Sequence, residues 1–104
     1  MFGGIEVIDR YVIQKLIRNI PKKGKCMIRS DLPGEYMIKT RSGKDISVMN
    51  EMAFEILQLI DGKKTIEEIA YIISIEYREV DIDTLTVDIC LLCRDMEREK
   101  IIFI

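Results

Sequence analysis

Two helix-forming stretches joined by a short turn constrain this chain more than any other feature. Residues 48–70 read VMNEMAFEILQLIDGKKTIEEIA, with an apolar and acidic run on each side of the DGKK turn. Asn50 is a good N-cap for the first helix, and Thr65 with Glu68 forms a T-x-x-E capping box for the second. Gly62 suits a left-handed stop between them. The segment therefore predicts a helix, a turn and a second helix.

Apolar spacing extends this prediction to a helical layer of three helices. Residues 84–99 form the third predicted helix, which Asp81 or Asp83 caps. In all three helices the apolar residues recur three or four positions apart, as one buried side of a helix requires. The inward residues are Ala53, Leu57 and Ile60, then Ile66, Ile69, Ala70, Ile73 and Tyr77, then Leu85, Ile89, Leu92 and Met96.

Three short β-prone runs precede the helical layer. They cover residues 26–30, 35–40 and 45–49, and they are separated by turns that contain Pro33-Gly34 and Ser42-Gly43. Strands joined by such short turns pair as an antiparallel meander, and a sheet this small needs helices to cover one face. The predicted class is therefore α+β.

The N-terminal part of the chain predicts one more helix. Residues 8–20 place Ile8, Val12, Ile13, Leu16, Ile17 and Ile20 on one side, and Pro21 ends the run. The following PKKGK is expected to be a linker, so we divide the chain into 1–24, a helix with a basic linker, and 25–104, the main domain. The closing IIFI suits a short strand or a packed tail.

Missing residue types exclude most catalytic chemistry. The chain has no histidine, which removes the commonest general base and the commonest transition-metal ligand. Cys90 and Cys93 lie one turn apart inside the third predicted helix, so we interpret them as small apolar core residues. Together with Cys26 they are too few for a four-ligand zinc site. We expect no enzyme activity, no metal and no cofactor.

Charge decides whether the helix-turn-helix pattern indicates DNA binding. The second predicted helix carries Glu67, Glu68 and Glu76 and no base, whereas a DNA reader needs Lys and Arg at this position. DNA binding is therefore not expected from this helix. The seven basic residues from Arg10 to Arg29, uninterrupted by an acid, are interpreted either as a solvated face or as a docking surface for an acidic partner.

The order of these motifs resembles the PqqD-like family, whose members recognise precursor peptides that are made on the ribosome and then modified. The resemblance covers residues 26–104. It is carried by Met49-Asn50, Asp61-Gly62, Thr65, Glu68-Ile69-Ala70, Tyr77, Asp88 and Ile101–Ile104. Met49 stands where the family commonly has leucine, and the helix at 8–20 lies outside the family pattern.

The resemblance implies a fold and a partner. The fold is a three-stranded antiparallel sheet on a three-helix, winged-helix-like bundle, here with an extra N-terminal helix. The leader of a precursor peptide adds as a strand beside the third strand and lies against the third helix, and a separate modifying enzyme, such as a radical SAM enzyme, acts on the peptide.

The residues of this chain supply a matching site. The third predicted strand contributes Asp45, Ile46, Ser47, Val48 and Met49. The third helix contributes Val87, Leu91, Arg94 and Arg98, and its two arginines suit acidic leader residues.

Two alternatives stay open. One is a winged-helix nucleic-acid binder that uses the basic segment 10–29, and the other is an assembly module whose 8–20 helix pairs with a second copy or with an enzyme. The sequence has no run of about 18 apolar residues and no signal-peptide pattern, so we expect a cytoplasmic protein without membrane contact.

Overall fold

The computed structural model describes residues 10–40 and 46–104. Within these residues the chain forms four helices, a three-stranded antiparallel sheet and a two-stranded antiparallel sheet. In chain order the elements are α1 (Arg10–Leu16), β1 (Lys22–Lys23), β2 (Cys26–Leu32), β3 (Glu35–Thr40), β4 (Ser47–Asn50), α2 (Glu51–Leu59), α3 (Ile66–Glu76), α4 (Ile82–Arg98) and β5 (Ile102–Phe103). The predicted α+β class and the predicted meander are confirmed, while the winged-helix comparison stays a prediction.

The helical layer begins where its capping residues predict. The Asn50 side chain accepts from the Ala53 N–H at 2.8 Å, and Thr65 and Glu68 form both bonds of the capping box. Asp81, the first of the two predicted caps, accepts from the N–H of Thr84 at 3.2 Å. The helix that it caps therefore begins at Ile82, two residues before the predicted start.

The predicted stop of α2 was placed too late. The helix ends at Leu59 with Ile60 as its C-cap, and Gly62 adopts its positive φ of 78° in the turn beyond. Asp61 organises that turn, because its carboxylate accepts from the N–H groups of Lys63 and Lys64 at 2.9 and 3.0 Å. The Lys64 ammonium, 2.7 Å from the carboxylate, and then these two backbone bonds lower the pKa of Asp61.

The core lies between the inner face of the three-stranded sheet and the three longer helices. All of the predicted inward residues are buried except Leu92 and Tyr77, which are half-buried. Ile56, Cys90 and Cys93 are buried as well, so the buried face of α2 and α4 is wider than a single stripe. Ile38 of β3 and Met49 of β4 supply the buried side chains of the sheet.

The first helix is shorter than predicted, and it is tied to the main domain. It ends at Leu16, and residues 8 and 9 of the predicted helix lie outside the described residues. The carbonyls of Asn19 and Ile17 accept from the N–H groups of Ile66 and Glu67, both at 3.0 Å. The segment after α1 therefore caps the start of α3, where helical N–H groups lack partners within the helix.

The predicted linker was wrong at Lys22–Lys23, which form a strand. This β1 pairs antiparallel with β5, with Lys22 opposite Phe103 and Lys23 opposite Ile102. At Gly24 the backbones come so close that an added Cβ would lie 2.9 Å from the carbonyl oxygen of Lys100. The predicted terminal strand is confirmed, and its partner is the basic segment.

Candidate functional site

The strand β4 lies at an edge of the three-stranded sheet. The strand order is β2-β3-β4, so β4 pairs only with β3 among the described strands. Val48 of β4 and the preceding Ile46 are 63% and 58% exposed. Edge strands usually carry charged residues or prolines that discourage a further strand, and Ile46 and Val48 are neither. Among the described strands, the edge of β4 away from β3 is therefore unpaired and carries exposed apolar side chains.

Two contacts hold the sheet against α2, one at the end of β4 and one from the neighbouring strand β3. Asn50 is both the last residue of β4 and the N-cap of α2, so the helix begins directly at the end of the strand. Tyr36 lies opposite Met49 in the neighbouring strand β3, and its ring stacks on Phe54 of α2 with centroids 3.9 Å apart. Met49 is only 6% exposed, so its side chain belongs to the core and only its backbone is available to a ligand.

The C-terminal end of α4 lies beside the start of β4. The Ser47 hydroxyl donates a hydrogen bond to the carboxylate of Glu99, which is the C-cap of α4. Leu92 and Asp95 precede Glu99 by seven and four positions, so they share its side of the helix. Sequence reasoning did not select Glu99, because only the tertiary packing of α4 against the sheet brings it to β4.

The four α4 residues predicted for the site lie along one side of the helix, but they have different surroundings. Val87 lines a cavity of about 690 Å³ between α1, α3 and α4. Leu91 and Arg94 are half-buried further along the helix. Arg98 is exposed, and its guanidinium lies 3.4 Å from the Asp95 carboxylate. In the strand half of the predicted site, Asp45 lies outside the described residues.

The two cysteines of α4 have no reactive character. Cys90 and Cys93 are both free and buried, as predicted for small apolar core residues. Burial raises the pKa of Cys90 to about 11, and burial together with the neighbouring Cys90 raises that of Cys93 to about 12. Within residues 10–40 and 46–104, no three Cys, Asp or Glu side chains are grouped to hold a metal ion.

A carboxylate cluster lies on the outer surface of α2 and α3. The Tyr36 hydroxyl donates to Glu51 at 3.1 Å, and the Tyr77 hydroxyl donates to Glu55 at 3.3 Å. A hydrogen bond with Glu55 and partial desolvation raise the pKa of Glu76. Desolvation, followed by the neighbouring carboxylates, raises the pKa of both tyrosines. The cluster makes this surface acidic.

The chain was compared with models of known protein families. The model of the family described as coenzyme PQQ synthesis protein D (PqqD) matches residues 36–102, which is more than half of the chain. The chain therefore belongs to the PqqD family, and the resemblance seen in the sequence is confirmed. No curated protein and no solved structure was found to match the chain.

Family membership gives the functional class. Proteins of this family are accessory recognition proteins in PQQ biosynthesis and in related pathways that modify ribosomally made peptides, where they partner with peptides and modifying enzymes. The matched region contains β3, β4 and the helices α2 to α4, which are the elements that build the edge described above. In the part of the chain that the structure describes, every helix is too short or too polar to cross a membrane.

Proposed function

We propose that this protein binds the leader of a ribosomally made precursor peptide as an additional strand along β4 and presents it to a separate modifying enzyme. The protein contributes no catalytic group, and the step takes place in the cytoplasm. The observation that carries the proposal is that the edge of β4 away from β3 has no partner among the described strands, in a chain that belongs to the PqqD family.

The backbone of residues 46–49 is the proposed source of affinity. Strand addition forms main-chain hydrogen bonds, and these are independent of the sequence of the peptide. Val48 and Ile46 add apolar side chains beside the new strand, where cross-strand pairs contribute about 0.2–1 kcal/mol each. Asp45, which lies outside the described residues, stays a contact predicted from the sequence alone.

The neighbouring side of α4 is the proposed source of specificity. Leu91, Arg94 and Arg98 are kept as contacts from the sequence prediction, together with Val87 where the helix begins to face α1. Leu92 and Glu99 join them because the Ser47–Glu99 hydrogen bond brings their side of α4 to β4. Since Asp95 lies 3.4 Å from Arg98, Arg94 is the stronger candidate for an acidic leader residue.

N-methylation of single leader amides tests strand addition directly. The ligand is the synthetic leader of a precursor encoded beside this gene. In an added strand only every second amide faces β4, so affinity should fall at alternate positions. Each lost hydrogen bond of about 1 kcal/mol corresponds to an affinity loss of about fivefold. Equal losses at consecutive positions would contradict strand addition.

A pair of lysine substitutions identifies the edge that is used. Val48→Lys places a charge on β4, and Met27→Lys places the same charge on β2, the opposite edge strand, where Met27 is 75% exposed. We expect Val48→Lys to weaken leader binding about two- to fivefold through lost cross-strand contacts, and Met27→Lys to leave it unchanged. Weaker binding by Met27→Lys with unchanged binding by Val48→Lys would indicate that the leader binds along β2.

A further inference from the structure

Lysines from three separate parts of the chain meet at one end of the molecule. Lys22, Lys23 and Lys25 belong to β1 and the residues after it, Lys63 to the turn between α2 and α3, and Lys100 to the turn between α4 and β5. We name these five residues the cationic end. All five are exposed. Their separation in the sequence hides the grouping, which only the fold creates.

Two short contacts bring the three parts of the chain together. A Cβ added at Gly62 would lie 3.6 Å from Cγ of Lys22, so the basic strand β1 runs beside the turn that carries Lys63. On the other side, the Gly24 N–H donates to the Ile101 carbonyl at 2.8 Å, which places Lys25 beside Lys100. The cationic end is therefore built on paired backbone, and its position in the fold is fixed.

The charge of this end is not neutralised within the protein. None of its five ammonium groups belongs to an ion pair among the described residues, where the three pairs are Arg29–Asp31, Lys64–Asp61 and Arg98–Asp95. The nearest acids along the chain are Asp61, which pairs with Lys64, and Glu99, whose carboxylate keeps its charge while it accepts from the Ser47 hydroxyl. The acidic α2–α3 surface carries the opposite charge. Positive and negative charges are therefore separated on the surface, although the formal net charge is only −2.

We infer that the cationic end binds a carboxylate-rich protein surface, and that this surface belongs to the modifying enzyme. The inference rests on the proposed function, to which it adds a contact surface for the second partner. Lys100 follows Glu99, and Glu99 contacts the first residue of β4. An enzyme docked at the cationic end therefore lies next to the start of β4, where one end of a bound leader leaves the sheet.

A protein surface fits this end better than a nucleic acid does. No helix at the cationic end is placed to enter a groove, since its lysines lie on a two-residue strand and on turns. The exposed residues of α3, which follows the Lys63 turn, include Glu67, Glu68 and Glu76, and these repel phosphates. The exposed, grouped lysines match a carboxylate-rich protein surface, where complementary potentials select the partner and speed association.

Charge reversal with a matched control tests the inference. The probe is fluorescein-labelled polyglutamate, and binding is followed by fluorescence anisotropy at low salt. The test variant is K22E/K23E/K25E, and the control R29E/K39E/R78E makes the same change of net charge at exposed positions elsewhere. We expect the test variant to bind about tenfold or more weakly, the control to stay within about twofold, and added salt to weaken binding by the wild type. K63E/K100E provides an independent second variant with the same expected direction.

Three results would overturn the inference. Equal losses in the test and control variants would mean that only the net charge matters. Failure of polyglutamate to bind the wild type at low salt would mean that the cationic end does not bind a carboxylate-rich surface. Tighter binding of a DNA duplex, lost in the same test variant, would assign this end to nucleic acid. Binding of the leader at β4 should persist in K22E/K23E/K25E. Loss of polyglutamate binding with leader binding intact therefore concerns the cationic end alone, and loss of leader binding concerns the proposed peptide site.

Discussion

The double variant Leu16→Ala/Ile17→Ala tests whether the N-terminal helix is part of the folded unit. Both side chains are half-buried and pack against the core, and the Ile17 carbonyl also accepts from the Glu67 N–H at 3.0 Å. A fully buried leucine or isoleucine loses about 2–5 kcal/mol on truncation to alanine, so a half-buried one should lose about 1–2 kcal/mol. The helix propensity of alanine is at least as high as that of leucine or isoleucine. Lost packing should therefore account for most of the loss of stability.

If the two losses add, the double substitution should lower the free energy of unfolding by about 2–4 kcal/mol. This is a large share of the roughly 5–15 kcal/mol of a typical domain. Urea unfolding should show a midpoint lower by about 1–2 M with an unchanged slope. The amides of Ile66 and Glu67 should also exchange faster with solvent, because their acceptors belong to this segment. Val12→Ala, on the exposed side of α1, is the matched control and should change stability by about 0.5 kcal/mol or less.

An unchanged midpoint in the double variant would refute this reasoning. It would mean that α1 is a detachable arm, as the predicted division into residues 1–24 and 25–104 implies. Ile13, Leu16 and Ile17, three of the apolar residues that the assembly hypothesis offers to a second copy, pack here on the protein's own core. A large loss of stability would therefore also argue against self-association through the apolar side of α1.

Three further predictions concern a cap, the thiols and a titrating carboxyl. Thr65→Ala should cost about 1 kcal/mol in urea unfolding, since it removes the Thr65 hydroxyl that accepts from the Glu68 N–H in the capping box. A thiol reagent at neutral pH should label Cys26 in the native protein, while Cys90 and Cys93 react only after unfolding because burial raises the pKa of each. Glu76 has a raised pKa when folded, so its neutral form is the stabilised one. Its contribution is complete below its unfolded pKa and is lost as the pH rises through the folded pKa. As the pH rises above about 4, the ordinary range of a glutamate, wild type should therefore lose stability relative to Glu76→Gln, and parallel stability–pH curves would contradict this assignment.

Local chemistry made most of the helical layer predictable. Asn50, Thr65 and Asp81 act as caps because a short polar side chain before an apolar run satisfies N–H groups within the next turn. Such interactions span only a few residues, so the sequence displays them directly. The end of α2 was misplaced because Gly62 belongs to a turn organised by the Asp61 carboxylate, and a glycine alone does not distinguish these two roles.

Tertiary pairing is what sequence reasoning missed. Lys22–Lys23 has no strand pattern of its own, and it is a strand only because β5 lies beside it. Likewise, the contact between Ser47 and Glu99 joins residues 52 positions apart, and no local pattern indicates it. Helical periodicity correctly placed Val87 outside the core stripe of α4, but it does not specify whether that side meets β4 or α1. The cationic end could not be predicted for the same reason, because its lysines come from three separate parts of the chain that only the fold brings together.

Backbone amide signals recorded during titration with the leader peptide test the central claim most directly. We expect shifts and slower solvent exchange at residues 46–50, with further shifts along 87–99 of α4 and none along the outer edge of β2. Formation of a β-strand by the bound leader should appear in the peptide's own signals. Changes confined to β2, to α3 or to the cationic end, with β4 unaffected, would contradict peptide binding at the open edge of β4.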